Sequence, residues 1–186
     1  MKRLYFLSLV FVSFLLTITS CTVDEPVSPN EEEIITTLRY VLTPTGSGDI
    51  VTFEFQDLDG DGGNAPIITN GTLAANTTYT GSIELLNEAE SPVEDITVEI
   101  RAEAEDHQFF YETTASGLTI GYNDSDANNQ PIGLETAVNT GAATTGTLTI
   151  TLRHEPLKSA DNVSTGDITN AGGETDIEVT FDVTIQ

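Results

Sequence analysis

The chain reads as a mainly β protein: an immunoglobulin-like β-sandwich of about seven to eight strands, with one short helix over residues 92–106. Three observations predict this. Ile177, Val179, Phe181, Val183 and Ile185 alternate with Glu178, Thr180, Asp182 and Thr184, the period of two that sets one strand face on a core and the other in water. The same alternation returns at Leu148, Ile150 and Leu152 among threonines, and at Val51, Phe53 and Phe55 around Thr52 and Glu54. Turn-forming clusters such as Thr45-Gly46-Ser47-Gly48 and Asn170-Ala171-Gly172-Gly173 punctuate these runs, and no long helical period lies between them.

At the N-terminus Lys2 and Arg3 precede an apolar run from Leu4 to Leu16, too short to span a bilayer, which predicts a cleaved secretory signal over residues 1–20. The run closes on Leu16-Thr17-Ile18-Thr19-Ser20-Cys21, and Cys21 is the only cysteine in the chain. An aliphatic residue, small residues and then the thiol resemble a bacterial lipobox, in which Cys21 is acylated and becomes the first residue of a chain anchored to a membrane surface. Residues 21–33 follow as a tether: Pro26 and Pro29 block pairing, and Asp24, Glu25, Glu31, Glu32 and Glu33 repel one another. Asp24 and Glu25, so close behind the lipidated residue, resemble the signals that send Bacteroidota lipoproteins to the outer face of the outer membrane. The predicted location is therefore the cell envelope, on an outer-membrane lipoprotein facing either the surface or the periplasm.

Residues 34–186 form the predicted single domain. Beyond the three clear strands, shorter candidates lie at 34–42, 78–86, 109–113, 118–122 and 132–138. The stretch from Ser91 to His107 carries two patterns at once. Ser91-Pro92-Val93-Glu94 has the form of a capping box with proline at the first helical position, and the Ala/Glu-rich half that follows favours helix. Ile96, Val98, Ile100, Ala102 and Ala104 nevertheless alternate with polar residues as a strand would. We read a helix laid across one end of the sandwich, with a strand as the alternative.

Composition narrows function. Once Lys2 and Arg3 leave with the signal, Arg39, Arg101, Arg153 and Lys158 face 30 acidic residues. Such a surface repels phosphate backbones, so nucleic acid is excluded as a partner, and it concentrates cations instead. No thiol remains beyond Cys21, no serine sits in a nucleophile elbow, no glycine-rich phosphate loop is present and tryptophan is absent, so the chain reads as a binding protein and not an enzyme.

Two motifs could hold a metal. His107 lies four residues after Glu103 and leads into Gln108-Phe109-Phe110-Tyr111; His154 ends the Leu148–Leu152 strand on its apolar side and is followed by Glu155. Imidazole with carboxylate suits zinc or a neighbouring divalent ion, giving His107, His154, Glu103 and Glu155 as candidate ligands if the histidines meet in space. As lone residues, the two histidines would simply sit at the rim of the core. Asp57-Leu58-Asp59-Gly60-Asp61-Gly62 matches the first half of a calcium loop, but Ile68 occupies the position of the bidentate glutamate. Asp57, Asp59 and Asp61 are thus either a calcium site outside the EF-hand class or an Asp/Gly turn. Asn123 to Asn129 has similar composition without the glycine and reads as a turn.

Asp57 to Gly62, His107 to Tyr111, Leu152-Arg153-His154-Glu155-Pro156 and Asn170 to Asp176 are the stretches through which residues 31–186 resemble a family of small Bacteroidota lipoproteins found with TonB-dependent outer-membrane receptors. The family often carries the label of a type 1 periplasmic binding fold, which implies two α/β lobes; the short, nearly all-β reading of this chain points away from them. The resemblance implies capture or handover of a scarce nutrient for an uptake receptor, with a divalent metal such as zinc as the first expectation. A structural or adhesive surface module with a calcium-stiffened loop is the alternative. So is an accessory subunit that docks on a TonB-dependent receptor, with Phe109, Phe110 and Tyr111 partly exposed as the contact.

Overall fold

Period-two alternation becomes paired strands wherever it is strongest. The computed structural model describes residues 33–60 and 62–186; the signal segment, Cys21, the tether to residue 32 and Asp61 lie outside the described residues. The strands are β1 (Thr37–Pro44), β2 (Val51–Gln56), β3 (Ile67–Thr69), β4 (Gly71–Leu73), β5 (Thr78–Asn87), β6 (Glu94–Asp95), β7 (His107–Thr113), β8 (Thr119–Tyr122), β9 (Glu135–Asn139), β10 (Thr144–His154) and β11 (Glu174–Ile185), with helix α1 (Ile96–Ala102) between β6 and β7. One sheet runs β3-β2-β1-β5-β9-β8 with β6 added to β5, and the other runs β4-β11-β10-β7. Every neighbouring pair is antiparallel except β4 with β11.

The fold is the expected β-sandwich, without the pair of α/β lobes that the family label implies. Its strand count exceeds the sequence reading because β3, β4 and β6 are only two or three residues long, too short to display a period. The core lies between the sheets. Leu38, Tyr40 and Leu42 of β1 and Phe53 of β2 share one buried cluster with Phe109, Ile150, Leu152, Val179 and Phe181 of the other sheet. Phe53 and Phe181 meet edge to face with ring centroids 5.6 Å apart. Burying each such ring contributes about 1.5–3 kcal/mol, so these alternating positions carry much of the stability in a chain whose single cysteine allows no internal disulfide.

Helix α1 is shorter than the predicted 92–106. Glu94 and Asp95 pair with Asn87 and Leu86 instead of starting a helix, and Asp95 then caps it, its carboxylate accepting the Thr97 N–H at 3.1 Å. Ile96 and Ile100 are buried at helical spacing while Val98 is exposed, which decides against the strand pattern.

After β10 the chain crosses the outer face of the second sheet through 3-10 turns at Val163–Thr165 and Ile168–Asn170, and Val163 and Ala171 cover Phe110. Phe109 and Phe110 are fully buried, and Tyr111 packs against the main core, so this run is not the exposed docking contact envisaged from sequence. Lys158 pins the crossing segment. Its buried ammonium donates to Asp126 Oδ2 at 3.0 Å, to the Pro131 carbonyl at 3.1 Å and to the Ala104 carbonyl at 2.5 Å. Asp126 Oδ1 in turn accepts the N–H groups of Asn128 at 2.8 Å and Gln130 at 2.9 Å. Burial pushes the Asp126 carboxyl up, but the Gln130 N–H and the Lys158 ammonium outweigh it and hold the group below its ordinary value.

Candidate metal centre

β7 begins with His107 and β10 ends with His154, and the antiparallel register sets the two directly opposite one another. His107 shares the inward face of Phe109, and His154 that of Ile150 and Leu152, so both rings point into the same end of the sandwich. Their centroids are 4.5 Å apart.

Two carboxylates close on this pair. β11 reaches the site through a bulge: Leu152 faces Ile177 and Arg153 faces Thr175, so Asp176 is one residue too many for its partner strand. An extra residue breaks the alternation, and the Asp176 side chain is 1 % exposed although its neighbours Glu174 and Thr175 lie in solvent. Gly173 makes the approach of this strand end feasible. It has φ +70°, and a Cβ there would fall 2.2 Å from the His154 carbonyl oxygen. The fourth group is Glu33, carried by the segment before β1, with its side chain 6 % exposed.

Ligand atoms from Glu33, His107, His154 and Asp176 all lie within 4.8 Å of one another. His107 Nε2 is 3.1 Å from Glu33 Oε1 and 3.9 Å from Asp176 Oδ2; His154 Nδ1 is 3.9 Å from Glu33 Oε2 and 3.8 Å from Asp176 Oδ1. Tetrahedral coordination with bonds of about 2.0–2.1 Å separates ligand atoms by about 3.3 Å, so the 3.8–3.9 Å separations would each close by about half an ångström to form such a shell.

The ring of His107 is oriented from behind. Its Nδ1 lies 3.1 Å from the Glu103 carbonyl oxygen. A carbonyl only accepts, so Nδ1 carries a proton and the ring is turned to aim Nε2 at the carboxylates. Neither His107 Nε2 nor Glu33 Oε2 makes a hydrogen bond of acceptable geometry among the described residues, and both atoms are buried. Lone pair facing carboxylate in a dry site is unfavourable unless a cation or proton stands between them. Two carboxylates, two neutral imidazoles and one divalent ion sum to zero charge. The negative field around the cluster also reaches Glu99, whose carboxyl is raised by partial burial and then by repulsion from Glu103, Glu33 and Glu94.

The structure thus brings together His107 and His154, but with Glu33 and Asp176 in place of the carboxylates expected from sequence. Glu103 sits exposed at the C-cap of α1 and offers its backbone carbonyl to His107. Glu155 follows the strand end with φ +48°, which turns its side chain into solvent. In the acidic loop Asp57 Oδ1 accepts the N–H of Gly60 at 3.0 Å, and Asp59 Oδ2 accepts the N–H of Asn64 at 3.1 Å and its amide at 2.6 Å. These carboxylates close a turn on themselves. No family model, curated protein or solved structure matches the chain.

Proposed function

We propose that this chain is a lipid-anchored cell-envelope protein that binds a divalent transition ion, zinc first, through Glu33, His107, His154 and Asp176, and serves an outer-membrane uptake system by holding that ion for transfer. The observation that carries this reading is the buried meeting of four donor side chains in which the His107 Nε2 and Glu33 Oε2 atoms have no hydrogen bond among the described residues. The donor set selects the ion. Two imidazole nitrogens and two carboxylates suit zinc and its neighbours, whereas calcium prefers six to eight oxygens.

Four protein donors leave no position for a bound water or substrate, which favours holding an ion over catalysis with it. Anchoring through Cys21 and the strongly acidic surface agree with collection of cations outside the cell. Isothermal titration of the full-length chain with zinc tests the binding: the expected result is one ion per chain, lost in His107→Ala. Absence of zinc binding would end this reading. Mass spectrometry of the envelope-extracted protein tests the anchor, with an acylated Cys21 as the expected first residue.

A further inference from the structure

We infer that Glu33 is the exchangeable ligand of this centre, so that loading of the ion and docking of residues 33–35 against the second sheet are a single equilibrium. The inference rests on the metal-binding reading above and adds to it the route by which the ion comes and goes.

The four donors are not held alike. His107, His154 and Asp176 belong to β7, β10 and β11, three adjacent strands whose ladder pairs (His107 with His154, Leu152 with Ile177) fix the backbone on either side. Glu33 belongs to no strand. The first backbone hydrogen bond after it, among the described residues, is from Thr36 N–H to the Leu86 carbonyl at 3.0 Å, reinforced by Glu88 N–H donating to the Thr36 hydroxyl at 2.8 Å. Both partners lie on or just after β5, in the other sheet. Between the two anchorages Ile34 is 65 % exposed and Ile35 only partly buried.

Glu33 therefore reaches from the margin of one sheet to a site built on the other, and its withdrawal breaks no ladder bond. A tightly held ion leaves by losing ligands one at a time, and the carboxylate on unpaired backbone is the one that can go first. Its departure opens one coordination position, which an imidazole or carboxylate of an acceptor can take. Linkage makes the effect reciprocal. Whatever draws residues 33–35 away from the second sheet weakens the ion's hold, and the ion holds those residues down by the same free energy. The ligand also stands at the junction with the acidic tether, so this coupling joins the centre to the part of the chain that leads to Cys21.

The test uses the full-length chain with zinc chloride, amide hydrogen exchange, and a competing chromophoric chelator. Zinc is expected to slow exchange of the Ile34 and Ile35 amides by about tenfold or more, while Ile150 in the core strand β10 is unchanged. Glu33→Gln is expected to speed chelator-driven zinc release by about tenfold or more and to abolish that protection. The exchange measurement on the wild-type chain stands even if the variant does not fold. Zinc that binds but leaves Ile34 and Ile35 unprotected, or that leaves Glu33→Gln as slowly as the wild type, overturns the inference and spares the metal reading. A wild-type chain that takes up no zinc ends both.

Discussion

Among the described residues, the Lys158 cluster and the histidine cluster both bury charged side chains, and they are finished to different degrees. At Lys158 the ammonium has three oxygen acceptors, and Asp126 opposite it accepts two further N–H groups. At the histidine pair the convergence is as close, yet among the described residues neither His107 Nε2, beside Glu33 Oε1, nor Glu33 Oε2, beside His154, has a hydrogen bond. The first arrangement is complete with protein atoms alone and serves to fasten the crossing segment to the sheet. The second has its charges arranged around a point where a cation would balance them. Buried polarity by itself does not mark a functional site; what marks one is buried polarity whose pairing needs something from outside the chain.

The largest way to break this contrast is at the completed cluster. Lys158→Met strands Asp126 in a buried position and should cost about 3 kcal/mol in urea unfolding, with or without zinc. The histidine cluster should respond in the opposite sense. Zinc at a hundred times its dissociation constant should add about 2.7 kcal/mol to the unfolding free energy, and His107→Ala should remove that increment. An unfolding midpoint indifferent to both zinc and chelator would erase the distinction between the two places.

A smaller, pH-dependent effect sharpens it. The folded Asp126 carboxyl is held below its unfolded value of about 3.9, so its contribution is complete above that pH and is lost as pH falls through the folded value. Urea midpoints measured between pH 5 and pH 3 should fall less steeply in Lys158→Met than in the wild type. The smallest response is expected in the exposed acidic loop. Asp59→Asn should leave the unfolding midpoint within experimental scatter, and millimolar calcium should not move it, because Asp57 and Asp59 are engaged by N–H groups of their own turn. A calcium-dependent rise in the midpoint would return that loop to consideration as a site.

What could be read from sequence follows from what alternation records. Parity places His154 with Leu152, so that histidine was legible as inward-facing at a strand end, whereas His107 lay before the predicted 109–113 strand and only the structure sets it on the face of Phe109. Their adjacency was not legible, because it depends on β7 pairing with β10 across 35 residues or more, which no local pattern encodes. Asp176 was hidden by the same rule that revealed His154. One position before Ile177, it shares parity with the solvent-facing Glu178, Thr180 and Asp182, and only the bulge redirects it. Glu33 was hidden among Glu31 and Glu32, with nothing in composition to single it out. Glu103 and Glu155 attracted notice through closeness along the chain, yet a cap and a turn separate their side chains from the rings beside them. The helix came out shorter than its compositional bias because pairing to β5 took Glu94 and Asp95 for the sheet.

Asp176 is an insertion in the literal sense. Removing it would join Thr175 to Ile177 in unbroken register with Arg153 and Leu152, and every core residue from Ile177 to Ile185 would keep its place. Deleting this one residue would take a carboxylate out of the cluster without redesigning the scaffold. Framework and donor are separable at that point on the strand.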